Sequence, residues 1–166
     1  MHWLTFLLLA QQQELAFQLG ALRSPAAAGN TADRTSAAFA VNYSVRLHDK
    51  RLYLDVPAIA GPSAQANGPR GGGYASLFVT PGLRVKLAPD QKLDPFVFAG
   101  AGYAQFERYQ PDSREHRGAF TYGGGVDGRI VKWLAWRAEF RGFAAPGGAH
   151  ALVSGGLVLR LKQGPS

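Results

Sequence analysis

The sequence predicts an all-β fold, an eight-stranded antiparallel up-and-down transmembrane β-barrel. Three observations lead to this prediction. Apolar and polar residues alternate along most of the 166-residue chain, which is the pattern of β-strands with two different faces. The connections between the alternating runs are in turn long and short, and charged residues stand opposite the apolar faces. Both features are typical of small barrels that cross a membrane.

The clearest alternation lies in residues 117–143, which predict a β-hairpin. Large aromatic residues stand near the ends of its apolar face, and the other face carries charges of both signs beside glycines. That distribution fits a barrel with lipid outside and charges inside. A soluble sandwich or lipocalin-like barrel, with its apolar face inside, is the alternative for this hairpin taken alone. The apolar face consists of Phe120, Tyr122, Gly124, Val126, Gly128 and Ile130, then Leu134, Trp136, Ala138 and Phe140.

The composition is that of a single domain without a disulfide framework. The chain contains no cysteine, which also excludes thiolate metal sites. Its net charge is +7, but the basic residues are scattered singly through the strands and form no compact patch interleaved with aromatics. Nucleic acid is therefore not an expected partner. Acidic lipopolysaccharide or phospholipid headgroups suit a positively charged barrel better.

The N-terminal apolar run, residues 3–10, is too short for a membrane-spanning helix of ~20 residues. It resembles the hydrophobic region of a secretory signal, although no Lys or Arg precedes it. We expect residues 1–12 to be a short or truncated signal segment, residues 13–162 to form the barrel, and residues 163–166 to be a tail. No other stretch suits a membrane helix, so strands must make any crossing.

Four strands are predicted in the first half of the chain, at residues 13–23, 37–47, 51–60 and 74–87. Pro57 cannot donate a hydrogen bond to the sheet and should weaken the third strand or create a bulge. The alternation slips at Thr80-Pro81-Gly82, where we expect a bulge or kink in the fourth. Loops are expected at residues 24–36 and 61–73, and a tight turn at residues 48–50.

Four more strands are predicted in the second half: residues 93–108, the two strands of the hairpin, and residues 150–162. Both faces of residues 93–108 are small or apolar, so the sequence does not assign an inner face there. Loops at residues 109–117 and 144–149 alternate with short turns at residues 88–92 and 132–133. The even number of strands agrees with a barrel of the bacterial outer membrane.

Two segments resemble a known family. They are DPFVFAGAGYAQF at residues 94–106 and FTYGGGVDGRIVKWLAWRAEFRGF at residues 120–143, and an alternating last strand follows them. Together they resemble the eight-stranded outer membrane β-barrel family related to the OmpA transmembrane domain and to OmpX. The resemblance covers residues 93–161 and implies a barrel in the bacterial outer membrane. Leu161 stands where family members tend to end on an aromatic residue, and no peptidoglycan-binding domain is expected after the barrel.

A network of charged side chains is predicted inside the barrel. An eight-stranded barrel leaves just enough room for side chains, so its buried charges must be paired. We expect Asp127 and Glu139 to be the hubs for the surrounding arginines. A structural salt-bridge core is favoured over a narrow or gated ion path because of the barrel size. The predicted network consists of Arg46, Asp55, Arg84, Lys86, Asp127, Arg129, Arg137, Glu139, Arg141 and Arg160.

Motifs for catalysis, cofactors and metals are weak. Residues 123–128 match G-x-G-x-x-G, but they lie inside a strand, where small residues relieve crowding. The four histidines have no ligand spacing, and no G-x-S-x-G occurs. A His-x-Ser pair, sought by comparison with lipid A deacylases, is also absent. His150 and Ser154 share a strand face but would lie ~13 Å apart.

The sequence therefore predicts a non-enzymatic, monomeric barrel without a cofactor. Its role would be structural or interactive, with specificity in the loops at residues 24–36, 61–73 and 109–117. The loop sequences do not identify a partner beyond outer membrane lipid and lipopolysaccharide. A lipid-modifying barrel enzyme and a soluble lipocalin-like binder of small ligands are the alternatives.

Overall fold

The computed structural model describes residues 12–25, 34–47, 49–61, 74–108, 114–145 and 148–161. These residues form strands and the short connections between them, and no helix among them is long and apolar enough to cross a membrane. The strands are β1 (Gln13–Ser24), β2 (Arg34–Arg46), β3 (Leu52–Gly61), β4 (Tyr74–Val79), β5 (Gly82–Lys86), β6 (Leu93–Arg108), β7 (Arg114–Val131), β8 (Leu134–Ala145) and β9 (Gly148–Leu161).

β4 and β5 are two halves of one barrel strand. Both pair with β3 on one side and with β6 on the other. The ladder with β3 stops at Asp55↔Gly82 and resumes at Ala58↔Val79. The break expected at residues 80–82 is therefore present. Its cause is proline chemistry, because Pro57 and Pro81 face this gap from either side and neither has an N–H to donate.

The sheet closes on itself between the first and last strands. β1 pairs with β2 along one edge and with β9 along the other, from Gln13↔Leu161 to Arg23↔Ala151. All the pairings are antiparallel, so the wall is an eight-strand barrel. Closure leaves no unpaired sheet edge, which is the condition for placing strands in lipid.

The two faces of the wall differ as a membrane barrel requires. Large apolar side chains such as Leu19, Val153 and Phe140 point outward and are 69%, 61% and 48% exposed. The charged side chains of the same strands point inward and are buried. A soluble barrel would have the reverse arrangement, so the transmembrane prediction holds. The inner face of β6, left open by the sequence, carries Asp94, Phe96, Phe98, Ala104 and Phe106.

Two predicted loops need correction. The loop predicted at residues 109–117 is shorter, because β7 already begins at Arg114, which pairs with Glu107. The loop predicted at residues 144–149 is mostly strand, because Ala144 pairs with Ala149 and Ala145 pairs with Gly148. The small residues of this segment are typical of a loop, but the backbone hydrogen bonds between paired strands do not depend on the side chains. Gly148 has a φ of 138°, a value that favours glycine and helps the chain reverse. The predicted signal segment, apart from residue 12, and the tail lie outside the described residues.

Candidate functional site

The barrel interior has an apolar half and a charged half. The apolar half lies toward the loop end, where Leu22, Ile59, Phe78, Phe143 and Leu152 form one buried cluster with their neighbours. The charged half lies toward the end with the short turns. Its buried members are five carboxylates and four cations: Glu14, Asp55, Asp94, Asp127 and Glu139, with Arg84, Lys86, Arg137 and Arg141.

Glu14 is the most connected carboxylate of this interior. Its oxygens accept hydrogen bonds from Arg84 Nη2 at 2.6 Å and Lys86 Nζ at 2.8 Å. Arg137 Nη2 and Arg160 Nε each lie 3.6 Å away. These cations come from β5, β8 and β9, whereas Glu14 belongs to β1. The side chain is only 1% exposed, so one buried carboxylate joins four strands of the wall.

The second centre is the pair Asp127 and Arg137. The two residues stand opposite each other on β7 and β8. Arg137 donates through Nε and Nη2 to the two carboxylate oxygens, at 2.7 and 2.9 Å. This two-point geometry is the strongest that a guanidinium and a carboxylate can form. Lys86 Nζ lies 3.4 Å from both Asp127 and Asp94 and links this pair to Glu14.

The third centre surrounds Asp55 in the middle of the wall. Ser44 donates a hydrogen bond of 2.6 Å to Asp55, and Arg141 Nη2 donates another at 3.3 Å. Arg141 also contacts Glu139 through Nε. Glu139 in turn accepts from Gln18 Nε2 at 3.3 Å. Arg84 Nε lies 3.9 Å from Asp55, so the network continues from Glu14 at the turn end through Asp55 to Gln18.

The structure places the predicted network residues in three groups. Arg46 and Arg160 are partly exposed at the turn end of the barrel. Arg129 is exposed and lines the open mouth of the barrel at the same end, so it is not one of the buried members. Its Nη2 donates to the carbonyls of Asp90 and Gln91 at 3.3 and 3.2 Å. The buried members are Asp55, Arg84, Lys86, Asp127, Arg137, Glu139 and Arg141.

The sequence interpretation missed Glu14 and Asp94. Glu14 lies at the start of the first strand, after a run of glutamines that resembles a linker. The signal was present, because Glu14, Ala16 and Gln18 alternate with larger apolar residues and share one face. Asp94 belongs to the strand whose faces could not be assigned from its composition.

Aromatic rings of β6 separate the charged groups from the barrel wall. The guanidinium of Arg137 lies 4.8 Å from the centre of the Phe96 ring, and that of Arg141 lies 3.9 Å from the centre of Phe98. Such cation–π contacts stabilise the positive charge of a guanidinium group where hydrogen-bond partners are missing. The rings fit because β7 carries glycines beside them. A Cβ added to Gly125 would lie 2.7 Å from Phe96 Cζ, and one on Gly123 would lie 3.0 Å from Phe98 Cε1.

The G-x-G-x-x-G match at residues 123–128 therefore serves packing. It lies inside β7, which continues to Val131 as a strand. A dinucleotide site would need a helix to begin there. Among the described residues there is also no group of three His, Cys, Asp or Glu side chains that could hold a metal ion.

At the loop end, the structure brings Ser24 and His150 together. Ser24 Oγ lies 3.0 Å from His150 Nδ1. The rings of Phe78 and Phe106 pack on the imidazole, each with its centre 5.4 Å away. The sequence interpretation had considered Ser154 instead, which hydrogen-bonds Gln18 at 3.1 Å. Ser24 and His150 belong to the first and last strands, so only barrel closure makes them neighbours.

Comparison with known proteins agrees with this architecture. No family model matches the chain, and no curated protein matches its sequence. Among solved structures, the chain is similar to Neisserial surface protein A (NspA), with a TM-score of 0.72 and 11% identity over 90% of this chain and 97% of that one. It is also similar to Ail, the attachment invasion locus protein of Yersinia pestis, with a TM-score of 0.66 and 13% identity over 91% and 99% of the two chains.

A third similar structure is the outer membrane enzyme PagL. Its TM-score is 0.50, with 16% identity over 89% of this chain and 99% of that one. The chain thus has the fold of the eight-stranded outer membrane β-barrels, as the sequence predicted. At these identities the similarity establishes the fold, and both enzymes and other proteins share it.

Replacing Glu14 by Gln should destabilise the barrel strongly. The variant leaves the surrounding cations with a neutral partner, and breaking a buried ion pair costs about 3–5 kcal/mol. The free energy of unfolding, measured by urea titration in lipid vesicles with tryptophan fluorescence, should fall by that amount. The control is Asp90→Asn, which removes the exposed pair with Lys50 at 3.0 Å and should cost about 0–1 kcal/mol. Equal losses in both variants would contradict the hub role of Glu14.

The glycines of β7 beside the aromatic rings give a second prediction. Gly125→Ala should lower the free energy of unfolding by about 1–3 kcal/mol, because the new methyl group meets the Phe96 ring and the backbone of β8. Gly118→Ala is the matched control, since a Cβ there has nothing within 4 Å. The same urea titration measures both variants. A Gly125→Ala barrel as stable as the Gly118→Ala barrel would show that the rings have room to move.

Proposed function

We propose that the protein is a non-enzymatic, monomeric barrel of the bacterial outer membrane, with a structural role or a surface-interaction role carried by its loops. The observation that carries the proposal is the filled interior. Paired charges occupy the turn-end half and an apolar cluster occupies the loop-end half. With its interior taken up by packing, such a barrel presents the connecting segments at its loop end as the surface available to partners.

The lipid-facing surface supports the membrane part of this proposal. The outward side chains are apolar along the strands, and Trp133 and Trp136 stand near the turn end. Aromatic residues at this level suit the boundary between hydrocarbon and headgroups. Outer membrane lipid and lipopolysaccharide are the proposed surroundings. The longest connections, residues 62–73 and 26–33, lie outside the described residues, so their partner has to be found by experiment.

The location and orientation can be tested with single cysteines, because the chain has none of its own. Ala66→Cys lies in the connection between β3 and β4, and Lys132→Cys lies in the turn between β7 and β8. In intact Gram-negative cells, a membrane-impermeant maleimide should label Ala66→Cys and leave Lys132→Cys unlabelled until the outer membrane is opened. Labelling of Lys132→Cys alone would reverse the orientation. Labelling of both variants in intact cells, or of neither variant, would contradict the outer membrane location.

A lipid-modifying enzyme is the second candidate, supported by the Ser24 and His150 pair. A serine beside a histidine base is the core of many hydrolytic sites, and this pair lies at the barrel end where the loops connect. We expect a fluorophosphonate probe not to label the refolded barrel. If the barrel is labelled, and Ser24→Ala abolishes labelling whereas Ser154→Ala does not, the non-enzymatic proposal is wrong.

A further inference from the structure

The turn end of the barrel opens into a positively charged cavity of about 180 Å³. Five cationic side chains line it, against two carboxylates, Glu14 and Asp90, so its lining carries a net charge of 5 − 2 = +3. The cations are Arg46, Lys50, Lys86, Arg129 and Arg160. The buried charged groups outside this lining are close to balance, with four carboxylates and three cations. The excess positive charge is therefore concentrated at the mouth.

Two of the five cations are neutralised by carboxylates. Lys86 Nζ lies 2.8 Å from Glu14 and is itself almost completely buried. Lys50 Nζ lies 3.0 Å from Asp90. These two pairs use both carboxylates of the lining. The remaining three cations are guanidinium groups, for which the described lining holds no further carboxylate.

The three guanidinium groups have weak or neutral partners among the described residues. Arg46 Nη1 donates to the amide oxygen of Gln12 at 3.4 Å. Arg129 donates to two backbone carbonyls and, within the part of the chain that the structure describes, to no carboxylate. The Nε atom of Arg160 is itself buried and lies 3.6 Å from Glu14, a carboxylate already shared by three other cations, and it makes no hydrogen bond to any residue that the structure describes. A buried donor without an acceptor is costly, so this arrangement favours an added anion.

We propose that this mouth binds a small oxyanion of the phosphate class. A guanidinium group presents its donors in a planar fork that matches phosphate oxygens, and several such groups around one cavity favour a multiply charged anion. The lining residues come from inward faces and turns, and none belongs to the apolar outer face. The anion therefore comes from the aqueous phase rather than from a lipid headgroup.

The test uses the whole chain refolded in an uncharged sugar-based detergent, with inorganic phosphate as the probe. Arginine side-chain N–H signals are followed by NMR while phosphate replaces chloride at constant ionic strength. We expect saturable shifts for Arg46, Arg129 and Arg160. Arg129→Gln should weaken phosphate binding about tenfold, because it removes charge-assisted hydrogen bonds. Because the Arg129 side chain is exposed, we expect this substitution to leave the fold intact. The mobility of the unboiled barrel on a denaturing gel checks this.

Lys92→Gln is the matched control, since it removes the same charge from the same end of the barrel outside the cavity. It should change the phosphate affinity by less than about twofold. An equal loss in both variants, or equal shifts with chloride, would overturn the proposal in favour of diffuse electrostatics. A further arm adds phosphatidylglycerol to the micelles. If this lipid displaces inorganic phosphate, the assignment to an aqueous anion is wrong.

Discussion

The structure depends on one constraint, which is that charges inside an eight-stranded barrel must find partners inside the wall. The interior is just wide enough for side chains. Each buried guanidinium therefore needs a carboxylate, a ring face or both. The bidentate contact of Arg137 with Asp127 and its position over Phe96 satisfy this need. The glycines of β7 follow from the same constraint, because the rings that support the guanidinium groups need the space that side chains would fill.

The two ends of the barrel meet this constraint in different ways. At the loop end, apolar side chains such as Phe78 and Phe143 stack with ring centres 4.5 Å apart and carry no charge that needs pairing. At the turn end, the charges extend to the opening, where the solvent replaces protein partners. Any solute that enters the barrel from the turn end therefore meets charged groups first and an apolar barrier beyond them.

Much of the fold could be predicted from the sequence because it is local. Alternation assigns each strand its faces, and Pro81 marks the break between β4 and β5 through its missing N–H. The parts that could not be predicted depend on the closure of the barrel or on hydrogen bonds between backbone groups. Glu14 acquires its role when β9 and β5 approach it, and Ser24 meets His150 only across the seam between the first and last strands. The ladder at Ala144 and Ala149 is formed by backbone hydrogen bonds. The small side chains of this segment show no alternation from which the strand could have been predicted.

The position of Glu14 has a consequence for how the barrel is made. Its cationic partners come from β5, β8 and β9, so the full set exists only when both ends of the chain are present and the wall is closed. An open sheet in lipid would leave this carboxylate and several cations unpaired in a medium that penalises them heavily. Insertion strand by strand is therefore disfavoured. Wall and network are expected to form together, in one cooperative step that an incomplete chain cannot take.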